Sequence, residues 1–400
     1  MAIGLGFSKT VTDGLIFGYD IGDGANSFKG QPTVNKFALP GTYGPGPGSD
    51  NNVGFEVNGT GTFVRLGWGQ TIGNYYIKPG DVVYKYTLGS NGCHYHGNDV
   101  AIPGGTYATF TMDYYVTPDA TGFPENSTLL VFESALGGAA TVNSEVGVWR
   151  TLTLTAGPTG GSGTLRMLIY PGGCGPRMAS SGTIYMKNPR VEYRTYGTPF
   201  VDGERSFSGS LVDVENTYSI NVGAVSFTTS GIPTFDGTND FISTNIPDIN
   251  LNGGSWTMEA VVKFNTVSKG SDNAIFGHGT TSTRNGLHLA ERSSAVYFGF
   301  YSNDLGGTTT LVAGRYYHIC WVYNHSTAEK IIYLNGAFDN SAVQATYTGT
   351  GNNFEIGRYP WSTGNVMSGD IPVAKMYNRA LTAGEARQNY NLYRTRFSMG

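Results

Sequence analysis

Charge is scarce in this 400-residue chain: Asp, Glu, Lys and Arg together make up 14% of it, against roughly 25% in ordinary globular proteins. The 25 basic and 29 acidic residues leave a net charge of −4. No basic excess exists to neutralise phosphates, which argues against nucleic acid as a partner. Cysteine is nearly absent and odd in number (Cys93, Cys174, Cys320), so a disulfide framework is not the design. Cys320 lies between Ile319 and Trp321 in an apolar run and reads as a buried small hydrophobe. Cys93 and Cys174 fall in glycine-rich loops, where they either pair in an oxidising environment or remain free thiols. Long apolar runs are missing too. No window approaches the roughly 18 residues of a spanning helix. The N-terminal MAIGLGFSKTVTDG lacks the apolar stretch of roughly 7–15 residues that a secretory leader carries. These absences predict a soluble chain made in the cytoplasm, with no membrane insertion.

What is abundant points one way. Glycine accounts for 59 residues, about twice the usual share of roughly 7%. Aromatics reach 13%, with 26 Tyr and 21 Phe. A disordered chain lacks such aromatics, and a helical bundle does not tolerate the glycine, since each costs about 1 kcal/mol against Ala in a helix. Short strands joined by tight turns accommodate both. The composition predicts an all-β fold.

Period-two alternation supports that prediction wherever glycine thins out. In SWTMEAVVKF, Trp256, Met258, Ala260, Val262 and Phe264 share one face, and Thr257, Glu259 and Lys263 the other; this predicts a half-buried antiparallel strand. RYYHICWVYN (315–324) carries bulk on both faces, as a central strand of a two-sheet sandwich does. A polar loop and KIIYL follow, ending at Asn335–Gly336, a pair suited to a type I′ turn because both residues tolerate positive φ. Further strands are expected near 81–88, 107–116, 128–133, 148–155, 164–170, 183–186, 295–301 and 353–358. Strands at short intervals with Gly and Pro between them are the pattern of sandwiches and jelly rolls. One helix is predicted: Thr382 and Glu385 form a capping box that opens ARQNYNLYRTRF. PGTYGPGPG (40–48) and residues 157–163 read as exposed loops or linkers. No heptads or fixed-period repeats occur, so no fibrous shaft is expected.

Several segments resemble known families. FDGTNDFIS (235–243), SWTMEAVVKF, RYYHICWVYN with KIIYLNG, and IPVAKMYNRALTAGEARQNYN (371–391) resemble the laminin-G-like, concanavalin-type jelly roll. GLIFGYDIGDGANSFKG (14–30) is similar to the segment that normally leads into the same sandwich. Between them, PGGTYATFTMDYYV, GVWRTLTLT, GTLRMLIYPG and GTIYMKNPRVEYRTYGTPFVDGERS resemble a carbohydrate-binding-module-type jelly roll. The resemblance implies two β-sandwich domains, one discontinuous (1–33 and 200–400, closed by the short C-terminal helix) and one inserted (34–199). Insertion is physically easy because the chain ends of a domain often lie close together. EYRTYGTPFVDGERS and YNRALTAGEARQNYN are also similar to segments of tailed-bacteriophage structural proteins. Relatives carry an acid in a Gly-x-Ile-Asp arrangement; here Gly369 and Ile371 match, Pro372 takes the acidic position, and Asp370 stands nearby.

Candidate chemistry is sparse. Asp236 and Asp240 are candidate calcium ligands, but calcium takes roughly six to eight oxygens; the alternative is that they shape their turn through hydrogen bonds. His94 and His96 point the same way if extended, and in a trimer packed about its axis such pairs would surround one ion, as in His-x-His iron sites at phage spike tips. Two histidines per chain are too few to close a site alone, and an exposed glycine-flanked loop is the alternative. Concanavalin-like hydrolases make Glu259 and Glu291 the candidate catalytic acids, yet no Glu-x-Asp-x-Glu strand, Gly-x-Ser-x-Gly elbow, P-loop or His-Glu-x-x-His helix occurs. No catalytic residue is assigned. Sugar rings stack on exposed aromatics, which makes Tyr359 with Trp361, and Trp68 with Tyr75 and Tyr76, candidate carbohydrate-binding residues; the alternative is packing or subunit contact.

These readings predict a non-enzymatic virion surface protein of a tailed phage: a capsid decoration or a compact tail or baseplate attachment. Its partners would be other virion proteins, further copies of itself (a trimer among the options) and host surface glycans. The rival readings are a free lectin and a concanavalin-fold glycoside hydrolase or lyase.

Overall fold

Alternating side chains in an extended chain become a folded sheet only when one face finds a partner surface. In the computed structural model, which describes residues 10–37, 55–58, 62–78, 81–87, 93–120, 128–141, 145–169, 182–201, 204–223, 225–247, 251–351 and 354–399, the strands of the large sheets pair antiparallel and the partner surface is a second sheet. Contacts divide the chain into two compact units, Met1–Pro32 with Arg205–Gly400, and Thr33–Glu204.

The first unit stacks two sheets. Among the described residues, one sheet runs in the order Ser226–Phe227, Pro233–Asp236, Ser368–Tyr377, Trp256–Phe264, Tyr316–Asn324, Glu329–Leu334, Ala337–Val343. Leu15–Asp20 pairs with Ser368–Tyr377 as well, setting Phe17 opposite Met376 and Tyr19 opposite Ala374. The other sheet runs Ile220–Asn221, Ile242–Thr244, Glu355–Ile356, Asn273–Gly279, Gly286–Arg292, Ala295–Gly299, Asp304–Gly306. Trp256, Met258, Ala260, Val262 and Phe264 from one sheet meet Leu287, Leu289, Val296 and Phe298 from the other in one core. Asn335 (φ 51°) and Gly336 (φ 70°) take the left-handed conformation that turns Glu329–Leu334 into Ala337–Val343.

Trp256–Phe264 is not half-buried. Its outward residues Thr257, Glu259 and Val261 are as buried as its inward ones. The reason is the C-terminal helix, Ala383–Arg396, which lies over this sheet and packs Ala386, Tyr393 and the following Phe397 against Cys320, Val322, Val261 and Val373. The helix begins with the expected capping box: Thr382 accepts from the Glu385 backbone, and Glu385 accepts from Thr382. The Arg379 hydrogen bond is the largest influence on Glu385 and holds its carboxyl down at about 2. A carboxyl lowered in this way stabilises the fold above its ordinary value of 4.5, and that contribution fades as pH falls toward 2. Thr382→Ala is therefore expected to cost about 1 kcal/mol in urea unfolding at pH 7.

Pro372 lies inside Ser368–Tyr377, where the ladder to Trp256–Phe264 slips between Val261 and Lys263; a residue without an N–H is tolerated at such an irregularity. Neighbouring Asp370 is buried, 2.6 Å from Lys263 Nζ, and accepts hydrogen bonds from the Tyr316 and Thr234 hydroxyls.

The second unit is another sandwich. Its sheets run Gly138–Thr141, Thr128–Ser134, Gly163–Ile169, Cys93–Ile102, Phe55–Asn58 and Arg150–Ala156, Ala108–Val116, Thr183–Glu192, Val83–Thr87, Thr62–Leu66. Tyr84, Phe110, Met112, Phe132, Met167 and Ile184 fill the space between them. Among the described residues no helix is long and apolar enough to cross a membrane.

Candidate functional site

The outer face of the second sheet of the first unit carries an aromatic and charged cluster on an unusually small floor. Because Leu287 and Leu289 turn inward, alternation sends Gly286, His288, Ala290 and Arg292 outward; likewise Val296 and Phe298 turn in while Tyr297 and Gly299 turn out. Ala274, Gly277, Ala290 and Gly299 leave the face low enough for rings to lie flat on it. A Cβ at Gly299 would sit 2.0 Å from His288 Nε2, and one at Gly277 would sit 2.7 Å from Tyr359 Cα. Only glycine permits either approach.

Onto this floor folds a small hairpin, Arg358–Tyr359 with Ser362–Val366. Tyr359 is 2% exposed and stacks under Trp361 at 5.4 Å between centroids and 18° between planes. Its hydroxyl donates to Asp272 Oδ2 at 2.9 Å. Arg292 grips the same carboxylate with two bonds, 2.7 and 2.6 Å, and lies 3.8 Å over the Tyr297 ring. His288 sits at the centre, its Nδ1 2.8 Å from the Gly286 carbonyl, its ring edge-on to Tyr359 and Trp361 and stacked on Tyr297. His288 Nε2 faces Asp304 Oδ1 at 3.3 Å, and the Tyr297 hydroxyl donates to Asp304 Oδ2.

Electrostatics follow from this crowding. Burial pushes Asp304 upward, but His288, the Tyr297 hydroxyl and the charge of Lys330 pull harder, and its carboxyl ends below the ordinary range. Burial, then the Asp304 charge, pushes the Tyr297 hydroxyl up to about 12. Burial raises the Tyr359 hydroxyl well above its ordinary value, with Asp272 adding to it. Both phenols are protonated donors at neutral pH. Trp361 and Tyr297 are half-buried and Tyr301 is 36% exposed, so parts of these rings reach solvent while the polar groups packed against them are held in fixed geometry. Such an arrangement suits a sugar: apolar C–H faces stack on the rings, and hydroxyls meet oriented donors and acceptors.

Residues 235–387, which contain this whole cluster, match the family Laminin_G_3, described as the Concanavalin A-like lectin/glucanases superfamily. A concanavalin-like domain is present. Among solved structures, the chain is similar to the receptor binding domain of botulinum neurotoxin type G, at 12% identity and TM-score 0.36, over 47% of this chain and 50% of that one. It is also similar to the CBM40 domain of the Ruminococcus gnavus IT-sialidase bound to alpha2,3 sialyllactose, at 16% identity and TM-score 0.29, over 34% of this chain and 80% of that one. A third is domain 4 of the GH43 extracellular arabinanase AbnA from Geobacillus stearothermophilus, in complex with arabinotriose, at 16% identity and TM-score 0.33, over 44% and 81%. The chain spans about half the length of the botulinum neurotoxin domain. No curated protein matches the sequence.

The concanavalin-like domain places the predicted residues unevenly. Tyr359 and Trp361 do come together, but Tyr359 is the buried support and Trp361 the partly open ring. Asp236 and Asp240 serve their turn: Asp236 Oδ1 accepts from the backbones of Thr238 and Asn239, and Asp240 Oδ2 accepts from Asp236. Among the described residues, no three His, Cys, Asp or Glu side chains converge as metal ligands would. Glu259 lies under the C-terminal helix, and Glu291 accepts from Ser268, Ser294 and Asn273. Both are fully buried and they belong to different sheets, so they do not flank a common open space.

In the second unit, Trp68 is 72% and Tyr76 53% exposed, whereas Tyr75 packs edge-on to Trp149 with Lys187 Nζ 3.7 Å over its ring. Among the described residues no ring contact joins Trp68 to either tyrosine. Cys93, His94 and His96 lie on the strand Cys93–Ile102 and not in the expected glycine-rich loop, because the segment pairs with Phe55–Asn58 and Gly163–Ile169; their side chains lie outside the described residues, as does Cys174. His288, Arg292, Tyr297, Tyr301, Asp272 and Asp304 were not singled out by sequence reasoning. The signal that would have found them is the alternation of small residues with His, Arg and Tyr through 286–299.

Proposed function

We propose that this chain is a non-enzymatic, glycan-binding surface protein of a tailed-phage virion, a capsid decoration or a compact tail or baseplate attachment. Sugar is held against Trp361, Tyr297 and Tyr301 on the outer face of the second sheet. The observation that carries glycan binding is the set of half-open rings resting on small residues inside a concanavalin-like segment, with Arg292, Asp272, His288 and Asp304 fixed against them. The virion assignment is supported by the phage-like segments 192–206 and 377–391, and it implies other virion proteins and further copies of this chain, such as a trimer, as partners. Low surface charge suits a protein largely covered by neighbours.

Trp361→Ala is expected to weaken glycan binding roughly tenfold or more, the scale of a lost stacking contact in a solvent-shielded site. Its melting temperature should change little. A glycan array followed by titration of the best ligand reads the first effect and calorimetry the second. Unchanged affinity for every bound glycan would remove this face as the site. Co-sedimentation with intact particles at fixed stoichiometry to the shell protein tests the virion role; a purified chain that binds glycans but never particles is a free lectin.

A further inference from the structure

Lys330 occupies a position that alternation reserves for the core. In Glu329–Leu334, Ile332 and Leu334 point between the sheets, and Lys330 shares their face and is fully buried. Its Nζ lies 3.9 Å from the Phe300 ring centroid and 5.6 Å from that of Phe298. Instead of a paired carboxylate it meets neutral oxygens: the backbone carbonyl of Asn303, Asn303 Oδ1 at 2.9 Å and Gln344 Oε1 at 2.8 Å. A buried ammonium so placed is costly. Burial pulls this lysine down to about 7 against the opposing Asp304 charge, so a large share is free amine at neutral pH. A desolvated neutral lysine is a nucleophile.

Asn303 is held against it by a tight turn. Tyr301 (φ 50°) and Ser302 (φ 59°) both take the left-handed conformation, and the Phe300 backbone donates to the Asn303 carbonyl at 3.0 Å. Gln344 is differently placed, because its Nε2 is tied to the Asp304 carbonyl. Asn303 Nδ2 donates no hydrogen bond among the described residues. Asp304, next in the chain, keeps a buried Oδ1 that accepts no hydrogen bond.

We propose that Lys330 Nζ and Asn303 Cγ join in an intramolecular isopeptide bond that forms within the folded domain. The amine lone pair adds to Cγ, one bond beyond the Oδ1 it already touches. The Cγ–Nδ2 bond breaks, one Nζ proton passes to Nδ2, and ammonia leaves. Nothing is oxidised or reduced and no co-reactant is needed. The bond would tie the strand Glu329–Leu334 of one sheet to the turn before Asp304–Gly306 of the other, closing a loop of 27 residues. It would also anchor the turn that presents Tyr301.

The test is intact-mass spectrometry of the purified full chain with peptide mapping. The expected result is a mass one ammonia below that of the sequence, with the Lys330 peptide linked to the Asn303 peptide. Lys330→Met and Asn303→Ala should each restore the full mass, whereas Asn303→Asp should still close, losing water instead. Lys330→Met should also lower Tm by roughly 10 °C, the scale expected for losing a crosslink around such a loop. Full sequence mass in the native protein, ammonia loss mapped to any other pair including Gln344, or a Lys330→Met variant with a higher Tm than the native chain would each overturn the proposal. The last result is what a merely buried cation predicts. Glycan binding is measured separately, so failure here leaves the sugar site standing.

Discussion

Trp256→Ala is expected to destabilise the first unit by about 3–5 kcal/mol, the range for removing a large aromatic from a well-packed core. Trp256 is 2% exposed and lies 5.5 to 6.1 Å from the rings of Tyr323, Phe298 and Phe300, which come from both sheets. Its indole N–H donates to the Leu251 carbonyl at 3.2 Å, so truncation also leaves a buried acceptor unpaired. Calorimetry should show the unfolding transition of this unit falling by roughly 10 °C, with that of the second unit unmoved. A shift of only a degree or two would mean the site collapses around the missing ring.

His318→Leu is the second large effect, again about 3–5 kcal/mol. His318 Nε2 and Glu259 Oε1 lie 3.3 Å apart with both side chains fully buried between the sheet and the C-terminal helix. The contact is not aligned as a hydrogen bond. Asn389 of the helix donates to Glu259 Oε2 at 2.6 Å, and Lys375 is buried on the same face. Burial pushes the Glu259 carboxyl up, but His318, Lys375 and Asn389 outweigh it, and the carboxyl ends below its ordinary value of 4.5. A lowered carboxyl contributes stability above that value and loses it as pH falls through the folded-state value, so this unit should weaken in acid. Removing His318 alone strands the carboxylate. The double variant Glu259→Leu with His318→Leu should therefore lose less than the two single changes summed, measured as a cycle in urea.

Local chemistry was the most legible layer. The capping box of Thr382 and Glu385 and the Asn335–Gly336 turn formed as expected because both depend only on residues within a few positions of one another. Among the strands not expected from the sequence, Asn273–Gly279 and Gly286–Arg292 are ones in which glycine and histidine break the apolar rhythm. Those are also the strands that build the aromatic face. A glycine there is read as a break in a strand when seen alone, and as room for a ring when the hairpin 358–366 is laid on it.

Composition and alternation by themselves determined that this protein is built from antiparallel sheets with a capped helix at its end, because backbone preference and period-two burial act over a few residues. Only the tertiary structure decided that Glu259 and His318 are interior, that Tyr359 supports while Trp361 shows a face, and that Lys330 points into a core beside Asn303. Each of those facts depends on which surface covers a strand's second face, and that surface arrives from sequence far away: a helix more than fifty residues beyond His318, or a hairpin more than fifty residues beyond the floor it covers.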